Sequence, residues 1–324
     1  MRVAVILPYF QRQSGILRKA LRSILAQQGA PRLLVIVVDD SSPVSPQEET
    51  VDLTNAPGIE LRILRQENGG PSSARNRGLD EVPPGTDYVA FLDTDDEWSP
   101  THLRHAVAAL EQGFDFYFAN HYQLGQRVGA FERAGRLEMA RHRALAAGDT
   151  LYAYQGDMFH QILTGNVIGT STVVLRCSSL GHLRFREEFV YAGDDYLFWM
   201  ECARKTDRFV FSTDVECTYG TGVNLYSGSG WGTDTHLERV VHETRYRHAT
   251  LRLFDVTEQE RRFLDRQLDG LREAFARDLM HRLLHRKKLK LRLIADQFRR
   301  DPKSAFWLVP NVVKVLAGSR SAHV

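Results

Sequence analysis

The chain has 324 residues, 43% of them apolar and 25% charged, with a formal net charge of +2. That length accommodates one large domain or two ordinary ones with a sizeable core, and no internal repeat or low-complexity tract interrupts it. No run of about 18 apolar residues occurs, which excludes a spanning helix. Cys177, Cys202 and Cys217 form no CxxC pair, which excludes a zinc site or disulfide framework and points to a reducing compartment.

The first residues, "MRVAVILPYF", read as a strand rather than a signal peptide, because Pro8 interrupts the apolar run and no cleavage site follows. "RLLVIVVDD" is a second such run. Continuous apolar runs followed by turn residues are the pattern of parallel strands covered on both faces. Between them, Ile16, Leu17, Ala20, Leu21, Ile24 and Leu25 fall at helical spacing within residues 13–28, and Gly29-Ala30-Pro31 ends the helix. "IELRILRQ" is a third strand, "PSSARNRGLDEV" a helix entered through "NGG", and "DYVAFLD" a fourth strand. A helix over residues 100–112 and the strand "FDFYFANHYQL" follow. Strand–helix alternation predicts an α/β domain with a mostly parallel sheet. Ligands of such sheets gather at the carboxyl ends of strands, where Asp39-Asp40, Asn68-Gly69-Gly70 and the acidic run from Asp93 would all lie.

That run, "FLDTDDEWSP", places Asp93, Asp95, Asp96 and Glu97 together with only Thr94 between. Like charges so close raise one another's pKa unless a cation sits among them, and carboxylate oxygens suit Mg²⁺ or Mn²⁺. The plainer reading is a solvated helix entry, with Ser99 as N-cap and Pro100 at the first helical position. An EF-hand is excluded, since Trp98 and Arg104 occupy its Gly and Glu positions.

Past a poorly patterned connection, residues 125–150, "LYAYQGDMFHQILTG" reads as helical and "GTSTVVLR" as a strand. Asp194-Asp195 opens a helix in "YAGDDYLFWMECARK", where the helix dipole favours two carboxylates. After "FVFSTDVECTY", residues 220–236 form a Gly-rich stretch that reads as a linker or a lid, its Tyr226 and Trp231 favouring the lid. From residue 257 onward there are 16 Lys and Arg against 8 Asp and Glu, a local +8 that leaves −6 on the rest. This tail is helical in pattern. It reads either as a packed helical subdomain with a basic face or, more sharply, as a membrane-surface helix attracted to anionic lipid. No nucleic-acid-binding motif accompanies its basic residues.

"VILPYF", "VVDDSS", "NGGPSSARNRGL", "FLDTDDEW" and "GDDYLFW", in this order, resemble the family 2 glycosyltransferases of the GT-A fold over about two thirds of the chain. The resemblance implies a GT-A domain over residues 1–220; the residue patterns beyond it place a lid loop and following helix over 221–256 and a basic helical region over 257–324. The resemblance also implies a nucleotide-diphosphate sugar donor with a lean to uridine, a divalent metal (Mg²⁺ or Mn²⁺) and inversion at the anomeric carbon. Pro8, Tyr9, Asp39 and Asp40 would hold the base, with Asn68, Gly69 and Arg75 near the nucleotide. Asp93, Thr94 and Asp95 would meet the ribose and diphosphate, and Asp95 or Asp96 the metal. Asp195, beside Asp194, stands where the family carries its catalytic base. The segment after that motif lacks the family's Arg and His, so backbone amides of the Gly-rich stretch would take over the phosphate contacts. The acceptor would be a hydroxyl of a glycan, a polysaccharide or a lipid-linked sugar. The setting would be cytoplasmic, with peripheral contact at the inner face of the membrane. Two other readings are a non-catalytic scaffold that binds nucleotide-sugars or glycans, and a sugar nucleotidyltransferase. The intact carboxylates oppose the first, and "PYFQRQSG", which lacks a Gly cluster after the first strand, opposes the second.

Overall fold

The computed structural model describes residues 1–29, 32–50, 56–123, 125–146, 150–221 and 230–313. The chain divides into two units, one of Met1–Val190 with Asp194–Val223 and one of Tyr191–Gly193 with Asn224–Val324.

In the first unit, β1 (Arg2–Tyr9), α1 (Ile16–Leu25), β2 (Arg32–Asp39), β3 (Ile59–Arg65), α2 (Pro71–Asp80) and β4 (Tyr88–Phe91) alternate as the apolar runs predict. β5 (Glu97–Trp98), α3 (His102–Leu110), β6 (Phe116–Tyr122), α4 (Ala130–Ala134), β7 (Arg143–Ala144), β8 (Leu151–Ala153) and α5 (Met158–Gly165) come next. β9 (Val174–Arg176), α6 (Cys177–Leu180), α7 (Asp194–Ala203) and β10 (Phe209–Thr218) complete it. The sheet runs β3-β2-β1-β4-β9-β6-β10-β8-β7, with β5 pairing on β10. β3, β2, β1 and β4 are parallel, and β9 enters antiparallel between β4 and β6.

Each face of this sheet has its own cover. Val3, Val5, Leu7 and Tyr9 of β1 pack with Leu17 and Leu21 of α1 and Leu103 of α3. The opposite side chain, Ile6, meets α2 at Gly78, where a Cβ would lie 2.5 Å from Ile6 Cγ2, so only glycine lets α2 come this close. Farther along, Phe198 of α7 stacks on Phe185 with centroids 4.0 Å apart, Phe91 of β4 meets Phe185 edge-on at 5.4 Å, and Trp199 meets Phe116 at 5.4 Å. Aromatic packing of this kind anchors α7 and sets where its first residues, Asp194 and Asp195, lie.

Two local expectations are corrected. The helix after the acidic run starts at His102 with Thr101 as N-cap, not at Pro100. Glu97 and Trp98 instead pair with Thr218 and Cys217, and the Ser99 amide donates to the Glu216 carbonyl at 2.8 Å. The segment read as one helix from Leu151 begins as strand β8 on β10, and its helix is capped by Asp157, which accepts from the His160 amide at 3.0 Å. The stretch expected as a lid falls, at residues 222–229 and hence at Tyr226, outside the described residues.

In the second unit, α8 (His236–Leu253), α9 (Glu258–Leu284), α10 (Leu291–Arg300) and α11 (Pro302–Phe306) pack around Leu237, Val240, Val241, Phe275 and Leu279. A capping box of Thr257 and Glu260 starts α9. Arg272 pairs through two nitrogens with buried Asp301, at 2.8 and 2.7 Å, which ties α9 to the start of α11. No described helix is long and apolar enough to cross a membrane.

Candidate active site

β1, β2 and β4 run parallel and adjacent, so the turns that leave them share one edge of the sheet. After β2, Asp40 is buried and organises the turn beyond β3. Its Oδ1 accepts from Gln66 Nε2 and the Gly69 amide, each at 2.8 Å. Its Oδ2 accepts from Asn68 Nδ2 at 3.1 Å and the Gly70 amide at 2.8 Å. Four donors match the four lone-pair sites of a carboxylate. Asn68 and Gly69 thus spend these groups on Asp40, and Gly70, at φ +87°, turns the chain into α2. Asp39 is less heavily engaged: it accepts from the Ser42 amide at 2.7 Å and lies 3.8 Å from Arg65. Tyr9 is buried, and burial with the charge of Glu49 pushes its phenol up to about 12. Thr94 is also buried; it donates to the Pro8 carbonyl and accepts from Gln11 Nε2, both at 3.3 Å, which ties the end of β1 to the turn after β4.

Arg75 of α2 is the centre of the arrangement. It is 4% exposed, and its Nη2 donates to Asp93 Oδ1 at 2.7 Å while its Nη1 reaches Asp194 Oδ2 at 3.4 Å. Ser72 Oγ donates to the same Asp194 oxygen at 3.1 Å, and Phe185 lies 5.3 Å below the guanidinium. One buried cation therefore joins the end of β4 to the first turn of α7. Burial raises the Asp194 carboxyl, with Arg75 and Ser72 opposing. Burial and the neighbouring Asp194 push Asp195 up to about 7, again opposed by Arg75. Asp194 is thus clamped by protein donors, and Asp195 is poised at a pKa suited to taking a proton near neutrality.

The acidic turn is built by residues that carry no local motif. Asp96 is buried; its Oδ2 accepts from Ser171 Oγ at 2.5 Å and its Oδ1 from the Gly220 amide at 3.0 Å. Burial, then Asp93 and Asp95, raise its pKa well above the usual carboxylate value. Ser171 also accepts from the Asp93 amide at 3.0 Å, and its carbonyl accepts from Trp98 Nε1 at 2.5 Å. Gly220 has no room for a side chain, because a Cβ would lie 1.7 Å from the Asp95 carbonyl oxygen. Neither residue has a sequence signal beyond its type, since each acts through a contact distant in the chain.

A second polar cluster lies at α3 and β10. Glu216 is fully buried and accepts from His102 Nδ1 at 2.9 Å, His105 Nδ1 at 2.7 Å and Tyr117 Oη at 2.6 Å. Despite burial, those bonds bring its carboxyl down to about 2, and the same bond raises His105. Asp214, His105 and Glu216 present ligand atoms within 4.8 Å of one another. Three donors already serve Glu216, so imidazole and phenol groups stabilise this carboxylate without an added cation.

Residues 4–174 match the family model described as Glycosyl transferase family 2. Over 233 residues the chain is 31% identical to the succinoglycan biosynthesis protein ExoW of Rhizobium meliloti (strain 1021), covering 69% of this chain and 70% of that one. It is 26% identical to the minor teichoic acid biosynthesis protein GgaA of Bacillus subtilis (strain 168) over 64% of this chain, and spans 44% of that longer protein. Among solved structures, S. aureus TarS 1-349 in complex with UDP-GlcNAc aligns with 99% of this chain and 92% of its own, at TM-score 0.60 and 17% identity. The mannosyltransferase PcManGT from Pyrobaculum calidifontis, in complex with GDP-Man and Mn²⁺, aligns with 99% of this chain and 87% of its own, at TM-score 0.59 and 16% identity. The family model covers more than half of the chain, and these structures share its sheet-and-helix architecture. The chain belongs to glycosyl transferase family 2, a glycosyltransferase with a GT-A-like α/β domain followed by C-terminal helices.

Proposed function

We propose that the protein is an inverting, metal-dependent transferase that moves a hexosyl or N-acetylhexosaminyl group from a nucleotide-diphosphate sugar to a hydroxyl of a glycan or lipid-linked acceptor. A uridine donor is the first choice. The observation that carries this reading is the Arg75 bridge, which brings the acidic strand end and the Asp194-Asp195 pair into one constellation. In it Asp195 takes the acceptor proton as the hydroxyl oxygen bonds to the anomeric carbon. The bond from that carbon to the diphosphate breaks on the opposite face, and the nucleoside diphosphate leaves. Asp194 is held by Arg75 and Ser72 and orients the first turn of α7. Asp39, Pro8 and Tyr9 line the base end; Asp40, with Asn68 and Gly69, shapes the turn beside it.

Asp93, Asp95 and Asp96 offer the all-oxygen donors that suit a hard divalent cation, but their ligand atoms do not converge here: among the described residues the group of three within 4.8 Å of one another is His105, Asp214 and Glu216. The raised proton affinity of Asp96 comes first from burial and then from Asp93 and Asp95, and a cation among these carboxylates would relieve the second part. Mg²⁺ or Mn²⁺ held there would neutralise charge on the departing diphosphate. A structural neighbour in complex with GDP-Man and Mn²⁺, and another in complex with UDP-GlcNAc, support this choice of donor class and metal.

Thermal stabilisation by a panel of nucleoside diphosphates and their sugars, with Mn²⁺ and in EDTA, tests the reading. A ligand at about 100 times its Kd adds roughly 2.7 kcal/mol, a clear shift. Equal stabilisation in EDTA and Mn²⁺ would remove the metal from the mechanism, and pyrophosphate in place of nucleoside diphosphate on turnover would remove the transfer itself.

A further inference from the structure

Of the twelve exposed large apolar side chains among the described residues, seven lie between residues 283 and 313 of the second unit. Leu284 is 69% exposed, Leu291 70% and Phe306 76%, with Leu283, Trp307 and Val309 also in solvent. Helix fraying does not account for them, since neighbours along the same stretch are packed: Leu293, Ile294 and Phe298 of α10, and Leu308 just past α11, rest against the core of the unit. The same stretch carries its own cations. Lys290 is committed to Glu238 at 2.7 Å and Lys287 lies 3.7 Å from Asp234, while Arg299 and Arg300 share Asp296 at 2.7 and 2.8 Å. Arg286, Lys288, Arg292 and Lys303 are exposed and meet no carboxylate among the described residues.

We infer that this surface, from the end of α9 through α11, is a docking face for an anionic lipid bilayer. Exposed leucines and aromatics interleaved with unpaired cations match the two layers of a membrane interface, the acyl boundary and the anionic headgroups. An acidic soluble partner would meet the cations and leave Phe306 and Trp307 in water; a bilayer meets both. The inference rests on the lipid-linked acceptor proposed above, because a transferase docked here works where such an acceptor is confined. Each cation near the surface strengthens partitioning about five-fold, or about 1 kcal/mol.

The test is flotation of the full chain with phosphatidylcholine vesicles, with and without one third phosphatidylglycerol. The protein should float with the anionic vesicles alone and be released as salt rises. Phe306→Ser with Trp307→Ser, and separately Arg286→Ser with Lys288→Ser and Arg292→Ser, should each weaken flotation at least ten-fold with the melting temperature unchanged. Equal flotation with both vesicle types, or none, overturns the inference. Concentration-dependent self-association that these variants abolish would also overturn it, assigning the face to a second copy of the chain. Donor-dependent thermal stabilisation, read on the same samples, reports the active site separately, so failure of the membrane face and failure of the transferase reading give different results.

Discussion

Replacing Arg75 by Met removes the cation that joins the two halves of the site while keeping an unbranched apolar stem. The wild-type guanidinium holds Asp93 at 2.7 Å and Asp194 at 3.4 Å. Removing one partner of a buried ion pair costs about 3–5 kcal/mol, because the surviving charge is left uncompensated. The Asp93 and Asp194 side chains are 34% and 16% exposed, so water recovers part of that. The expected loss near neutral pH is roughly 2–3 kcal/mol. At about 2–4 °C per kcal/mol, the melting temperature should fall by about 4–12 °C. The pH dependence identifies the cause. Arg75 lowers the proton affinity of both Asp194 and Asp195, whose folded values already lie above the ordinary carboxylate range. Without it those values rise further, so the variant's penalty is absent below about pH 4 and grows as pH climbs through the folded pKa. Thermal denaturation of both proteins between about pH 5 and pH 8 should therefore show the gap widening with pH. A gap of the same size at every pH would mean that lost packing on Phe185 is responsible, and would refute the electrostatic account.

Asp195→Asn should lower turnover by about 10²–10⁴ while donor affinity stays near wild type. The wild-type rate should rise with pH through about 7, as the base ionises. Because folding raises this carboxyl, its ionised form opposes the fold above about pH 4. The Asn variant should therefore be more stable near pH 8, by roughly 1–3 kcal/mol after allowance for partial exposure; equal stability in urea titrations would contradict the raised pKa. Asp40→Asn puts an amide donor against two of the four donors and should cost about 2–4 kcal/mol, measured by denaturant unfolding; a neutral effect would show that the turn at Gln66–Gly70 holds itself. Gly220→Ala drives a methyl into the Asp95 carbonyl and should abolish Mn²⁺-dependent stabilisation by nucleoside diphosphate, whereas retained stabilisation would mean the acidic turn is free to shift.

The strands β1 and β2 were legible from the chain because a strand covered on both faces must be apolar throughout, and Val3 to Leu7 and Leu33 to Val38 are. The helices between them follow from 3.6-residue periodicity, and the acidic run from its charge density. Leu151 to Ala153 illustrates the limit: its pattern suits helix or strand, and pairing with Val210 to Ser212 decides for strand. Glu97 and Trp98 likewise become a strand through partners on β10 that no local pattern announces. The same holds for the site. Asp93, Asp95, Asp96, Asp194 and Asp195 stand out as residue types, but their division of labour does not. Arg75 reaching two distant carboxylates, Ser171 and Gly220 gripping Asp96, and Asp40 consumed by the turn after β3 are outcomes of long-range packing. Periodicity records which face of a segment must leave water. The hydrogen-bond partner of a buried charge, and hence its pKa, depends on what other segments bring to it, and that only the folded chain decides.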